Sequence, residues 1–510
     1  MGKQTRLRVE LALACGLTLG VACLSSPAAE DSARGEALFA QHCAVCHGLE
    51  GGGDGQSAPI LFPPARDFGT GRFLLVSTDN GVPSDADLVR VLRRGMPGSA
   101  MPGFAWMPEA DLRALAGHVR ELAVQGLAEK LRTDPSLRSE RVEPREALAV
   151  AREWMSAGAA LAEVPPAEPS TGVMDRGREL YVADCGQCHG PDGRGSDAPT
   201  YAEDGSVRWA RDFTAGILKG GGQPEELAWR VRAGMPGSAM PAFDYGPEDT
   251  AAVVAYVGSL IPAGTEERYV LRGDRIGAAR VERVPTEARA ADWSRAEEVR
   301  VVLAPTWWRD DAVFECTVSA LHDGRNVALR LRWPDATLDA AGELDTPGDG
   351  AAVQLSGAPA PPLFGMGSHE QPTNIWHWRE LSRSAEPGFL DLVEHGLRHV
   401  PEGEAVPDVP FYVPYSTEPR RESAESIEGR GPAAVGERDE RVFDIDVSSA
   451  WVDGVWEIVF VRSLRARVGR ELELVPGRTV QLACAIWNGS AENQGGRKSI
   501  SVWQRFELAE

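Results

Sequence analysis

Cys43-Ala44-Val45-Cys46-His47 and Cys185-Gly186-Gln187-Cys188-His189 are the stretches on which the reading of this 510-residue chain turns. Each is a C-x-x-C-H string, and the two lie 142 residues apart. At this spacing two thiols form thioethers with the vinyl groups of a heme, and the adjacent imidazole is delivered to the iron. Two covalently held hemes c point to electron transfer.

The flanks repeat as well. Arg34-Gly35-Glu36-Ala37-Leu38-Phe39 and Arg176-Gly177-Arg178-Glu179-Leu180-Tyr181 precede the motifs at the same offset, each a short helix carrying one aromatic. Gly/Asp loops follow (Gly51–Gly55 and Asp192–Gly195), then Ala58-Pro59 and Ala198-Pro199, then Ala65-Arg66-Asp67-Phe68 and Ala210-Arg211-Asp212-Phe213. The units converge on Met96-Pro97-Gly98-Ser99-Ala100-Met101-Pro102 and Met235-Pro236-Gly237-Ser238-Ala239-Met240-Pro241. An amphipathic helix closes each, with apolar faces Leu112, Leu115, Val119 and Val253, Tyr256, Val257, Leu260.

These units resemble class I c-type cytochromes over roughly residues 31–126 and 172–262. The resemblance implies two all-α domains, with a thioether as sixth ligand opposite His47 and His189. Met101 and Met240 fit that role, each followed by Pro and then by an aromatic, Phe104 or Phe243; Met96 and Met235 compete. It also implies that the carbonyls of Pro59 and Pro199 orient the two imidazoles.

Charge sets limits on partners. The formal net charge is −22, which disfavours nucleic acid and anionic membrane and favours a basic docking partner. Lys3, Arg6 and Arg8, the apolar run Leu11–Leu24 and the small residues at 25–29 have the form of a secretory signal over residues 1–29. This predicts export, with no membrane span after cleavage; a lipid anchor on Cys23 is the alternative. Of eight cysteines, four take heme and two lie in the signal. The remaining pair, Cys316 and Cys484, reads either as a disulfide or as two buried thiols.

The domain reading continues with the first heme domain at 30–126, a helical spacer and Pro-rich tether at 127–171, and the second heme domain at 172–263. Residues 264–510 change character, with short alternating runs bounded by turns. These include 298–303, a hairpin of 314–321 and 327–333, then 351–355, 442–447, 455–461, 480–487 and 499–507. That pattern predicts a mostly-β sandwich, with ten of the 14 Trp available for its core. Residues 401–440, rich in Pro, Glu, Gly and Ser, read as a surface excursion.

Within this half, Phe364-Gly365-Met366-Gly367-Ser368, Asn374-Ile375-Trp376-His377-Trp378-Arg379 and Gly496-Arg497-Lys498-Ser499-Ile500-Ser501-Val502-Trp503 resemble the heme-b-binding gamma subunit of ethylbenzene dehydrogenase and related DMSO-reductase-family enzymes. The resemblance implies a noncovalent heme b between Met366 and Lys498, with His369 and His377 as nearby alternatives. An amine ligates iron only after losing its proton, which burial favours, and Lys498 is one of very few lysines in an Arg-dominated chain.

The combined expectation is a periplasmic triheme carrier with no catalytic residues. It would relay electrons between a molybdenum/iron–sulfur oxidoreductase and a basic cytochrome. Two other readings compete. One is a diheme cytochrome targeted by a carbohydrate- or surface-binding sandwich through Trp376, Trp378 or Trp487. The other is a heme peroxidase with one methionine loop open.

Overall fold

The computed structural model describes residues 27–137, 142–341 apart from 197, 203, 204, 206 and 310, then 347–380 apart from 360, 363–366, 368–370 and 372, and finally 424–429, 445–466 and 472–510. In each heme unit the first helix crosses the last one at a glycine. Pro27–His42 lies on Glu109–Thr133, and Thr171–Leu180 lies on Pro247–Leu260. A Cβ on Gly35 would stand 2.3 Å from the Ala114 carbonyl oxygen, and one on Gly177 2.1 Å from that of Ala252. Only glycine permits backbones this close. The preceding arginines clasp the same crossings, Arg34 on Asp111 at 2.9 and 2.8 Å and Arg176 on Asp249 at 2.8 Å through both prongs. Phe39 and Tyr181 are buried beside them.

The first closing helix runs to Thr133, past the boundary expected at residue 126. Helix Pro144–Trp154 packs on it, and Ala147, Ala151 and Met155 share a core with Leu127, Ala128 and Leu131. The cause is the apolar stripe, which keeps helical period beyond residue 126 and needs cover. The helical part of the expected spacer is therefore part of the first unit's core. The chain then pairs along the same unit, with Leu161 N–H donating to the Ser77 carbonyl at 2.8 Å.

The two heme units face each other through equivalent helices, Asp85–Arg94 and Pro224–Ala233. Arg94 pairs with Glu226 at 3.3 Å, and the Arg90 guanidinium lies 4.1 Å over the Trp229 ring.

The last half is mostly β, as expected. Its main sheet runs from Ala424–Gly429 through Thr373–Arg379, Gly350–Ser356, Thr479–Trp487, Gln504–Leu508, Arg275–Arg280, Glu315–His322, Asn326–Pro334 and Val455–Ser463 to Asp446–Val452. Neighbours are antiparallel except around Arg275–Arg280, which is parallel to both of its partners. The curled sheet closes on one core, with Trp333, Trp376, Trp378, Trp456, Phe460 and Phe506 at most 2% exposed. The expected hairpin forms at Asp323, whose carboxylate accepts from the backbone of Arg325 and Asn326. The run 499–507 is not one strand but two, Ser499–Ile500 and Gln504–Leu508. Among the described residues no helix is long and apolar enough to cross a membrane.

Candidate heme sites

Each C-x-x-C-H string forms a single turn at the end of a helix, Ala44–His47 in one unit and Gly186–His189 in the other. The loop that follows folds back on the histidine. Gly53 N–H bonds the His47 carbonyl at 2.9 Å and Phe68 N–H bonds that of Gly51 at 2.8 Å; in the second unit Gly195 reaches His189 at 2.8 Å and Phe213 reaches Gly193 at 2.7 Å. This brings the Ala-Arg-Asp-Phe strings beside the imidazoles. His47 Nδ1 lies 3.0 Å from the Arg66 carbonyl, and His189 Nδ1 3.0 Å from that of Arg211. A carbonyl oxygen only accepts, so Nδ1 carries the proton and Nε2 is left for iron. The orienting acceptors are thus Arg66 and Arg211, not Pro59 and Pro199. The folded-back loop sets the Ala-Arg-Asp-Phe string, rather than the prolines, at each Nδ1. Phe68 and Phe213 stack on the two imidazoles at 4.7 and 4.5 Å between centroids. Burial holds both histidines below their usual pKa, which favours the neutral, ligating form.

Burial also pushes the Cys43 and Cys46 thiols up to about 12, and Cys185 up to about 11.

The methionine loops close identically in the two units. Met96 N–H donates to the Met101 carbonyl at 3.0 Å and Met235 N–H to that of Met240 at 3.1 Å, while Ser99 and Ser238 hydroxyls bond the Met96 and Met235 carbonyls. All four methionines line one cavity with Cys43, Cys46, His47, Cys185, Cys188 and His189. Its volume is 1540 Å³, against roughly 300–1,000 Å³ for a pocket holding one organic ligand. The space, its largely apolar lining and the two histidines in that lining fit porphyrin groups.

His42 shares this cavity and escaped the sequence reading. It is 5% exposed, its Nδ1 has no partner, and its ring packs 5.6 Å from that of Trp106. Burial pushes its pKa down to about 4.

In the β-rich half, Lys498 Nζ lies 4.7 Å from the centroid of Trp487, against which the His377 ring also packs at 5.2 Å. Desolvation brings the Lys498 pKa down to about 8. Met366 and His369 lie outside the described residues, as do residues 1–26 of the signal stretch, with Cys23, and most of 401–440. Trp376 and Trp378 are core residues, so they form no stacking platform; the alternation of the strand turns both inward. Cys316 and Cys484 are buried, unbonded thiols in hydrogen-bond contact across the core.

Three family profiles match the chain: cytochrome c over residues 174–260, cbb3-type cytochrome c oxidase subunit III over 30–119, and ethylbenzene dehydrogenase over 290–499. Cytochrome c55X of Stutzerimonas stutzeri is 34% identical over 115 residues, covering 22% of this chain and 88% of that protein. A protein of Haloferax mediterranei named for a respiratory nitrate reductase heme subunit is 25% identical over 231 residues, covering 44% of this chain and 68% of its own. The dimethylsulfide dehydrogenase gamma subunit of Rhodovulum sulfidophilum is 24% identical over 237 residues, covering 43% and 74%. The chain belongs to the c-type cytochromes, electron-transfer proteins, and carries a β-rich half that matches the ethylbenzene dehydrogenase family.

Proposed function

We propose that this cytochrome is an exported, periplasmic relay with three hemes. Cys43, Cys46 and His47 hold one heme c and Cys185, Cys188 and His189 the other, with Met101 and Met240 as sixth ligands. Met366 and Lys498 hold a heme b in the β-rich half. Electrons pass between a molybdenum/iron–sulfur oxidoreductase docked at that half and a basic cytochrome at the c-type end. Each heme, when bound, would supply a one-electron iron couple, with His47, Met101, His189, Met240, Met366 and Lys498 holding the irons.

The observation that carries the reading is Lys498. Its ammonium group sits on an aromatic face with no ion pair among the described residues, and desolvation favours the neutral amine that ligation requires. A solvated strand-end lysine shows neither feature. The name of the Rhodovulum relative, a gamma subunit of dimethylsulfide dehydrogenase, supports an oxidoreductase complex as the setting.

The test is a heme inventory of the purified protein. Pyridine hemochrome spectra before and after acid–acetone extraction should give two covalent hemes and one extractable heme b per chain. Extraction of no pigment would refute the third heme.

A further inference from the structure

The wall between the two heme crevices is cationic in a chain of net charge −22. Arg66, Arg194, Arg208, Arg211, Lys219 and Arg309 line the cavity, against Asp67, Asp184 and Asp212. The carboxylates are engaged elsewhere: Asp67 with Lys130 at 2.6 Å, Asp184 with the Tyr245 hydroxyl at 2.5 Å, and Asp212 with Thr214 at 2.6 and 2.7 Å. Arg194 and Arg309 pair with Asp192 and Asp311. Lys219 and Arg208 have no ion pair among the described residues.

The other two arginines reach across the domain boundary. Arg211 Nη2 donates to the Gly98 carbonyl of the first unit's methionine loop at 3.0 Å. Arg66 Nη1 would stand 3.4 Å from a Cβ on Gly237, in the second unit's loop. Lys219 lies at the same junction, where it also borders Leu75, Arg94 and Glu226. It breaks the repeat, because Leu74 occupies its position after Phe68 in the first unit and lines the same cavity. Clustered cations removed from water are unfavourable unless an anion joins them, and desolvation with repulsion from Arg211, Arg208 and Arg66 brings the Lys219 pKa down to about 7.

We propose that Lys219 and Arg208, together with Arg66 and Arg211, form a carboxylate-binding site that receives propionate groups of the two hemes at the domain junction. The site couples the hemes electrostatically. This rests on the two hemes c of the proposed function and is independent of heme b.

The experiment uses the full-length holoprotein and the variants Lys219→Met, Lys219→Arg and Arg208→Gln. Heme c content is measured first; fewer than two per chain in the wild type would sink the diheme reading itself rather than this site. Potentiometric titration of the c hemes and the propionate bending bands in resonance Raman spectra are then compared. Removing a cation beside a heme favours the more positive ferric form. Lys219→Met should therefore lower at least one c-heme potential by about 59 mV, tenfold in a one-electron equilibrium, and shift a propionate band. Arg208→Gln should act in the same direction, and Lys219→Arg should preserve both readouts. Potentials and bands unchanged in Lys219→Met and Arg208→Gln overturn the proposal. So does a wild-type potential that follows added phosphate at constant ionic strength and loses that response in Lys219→Met, which would assign the site to a free anion.

Discussion

If Met101 ligates the first heme, the reciprocal reach of Arg211 makes that ligation depend on the second unit. Its guanidinium donates to the Gly98 carbonyl at 3.0 Å, midway between Met96 and Met101. A hydrogen bond to a charged group contributes about 1.5–3 kcal/mol, and the half-buried setting argues for the lower end. Losing about 1.5 kcal/mol raises the open population of that loop about tenfold. With Met101 as sixth ligand, an exogenous ligand binds iron only when the loop opens. Arg211→Gln should therefore raise imidazole affinity about tenfold at the His47 heme, and by more there than at the His189 heme. NMR of the ferric protein, with the hyperfine-shifted methyl resonances of each heme assigned, separates the two. Gly98→Ala provides a second arm, since its Cβ would stand 2.5 Å from Arg211 Nη2 at a φ of +83°. The clash displaces the arginine, and left-handed strain adds roughly 1–2 kcal/mol, so affinity should rise at the same heme. An increase confined to the His189 heme, or none at either, refutes the cross-unit brace.

Three further outcomes are expected. Gly35→Val forces a side chain into the Ala114 carbonyl and should destabilise the first unit by at least the 1–3 kcal/mol typical of overpacking, visible as a lowered melting temperature with intact heme absorbance in the second unit; an unchanged melt would contradict the helix crossing. Lys498 has its pKa lowered from 10.5 to about 8, so ligating iron below that value requires releasing a proton. Affinity of heme-b-depleted protein for hemin should then rise about tenfold per pH unit up to about pH 8 and level off above it, and Lys498→Met should abolish the slope; a flat profile in the wild type removes Lys498 as ligand. Cys316 and Cys484 should resist thiol reagents in the native protein, since burial and their mutual contact push the Cys316 thiol up, and both should react after denaturation; rapid native labelling would show the core to be open there.

The sequence made the heme units legible because they occur twice, and a string preserved at one offset in both copies stands out. The closing helices followed from period alone, and Leu112, Leu115, Val253 and Val257 are buried as their spacing requires. The imidazole acceptors were not legible, because a backbone carbonyl has no residue signature; Arg66 and Arg211 were visible only as members of a repeat without a role. Strand Arg275–Arg280 was missed because arginines at both ends hide the two inward residues, Ile276 and Ala278. Lys219 was invisible for the opposite reason: it departs from the repeat, and its significance comes from neighbours brought together only by folding.

The two junctions of the molecule differ in kind. Where the described contacts join the heme units, they run through side chains: Arg94 to Glu226, Arg90 over Trp229, and Arg211 to a carbonyl. The first unit meets the β-rich half through its backbone. Phe62 N–H donates to the Thr306 carbonyl at 2.9 Å, Trp308 N–H returns a bond to Phe62 at 2.7 Å, and the Phe62 and Trp307 rings pack at 5.3 Å. Thr306 N–H in turn donates to the Lys498 carbonyl at 2.8 Å, and its hydroxyl accepts from Lys498 N–H at 3.0 Å. Backbone pairing fixes a register, whereas side-chain contacts readjust by rotamer. The first unit is therefore held in register against the β-rich half, one residue pair away from Lys498. If heme b sits at Lys498, its exchange with heme c needs no encounter between separate proteins, because fusion replaces a bimolecular step with an intramolecular one.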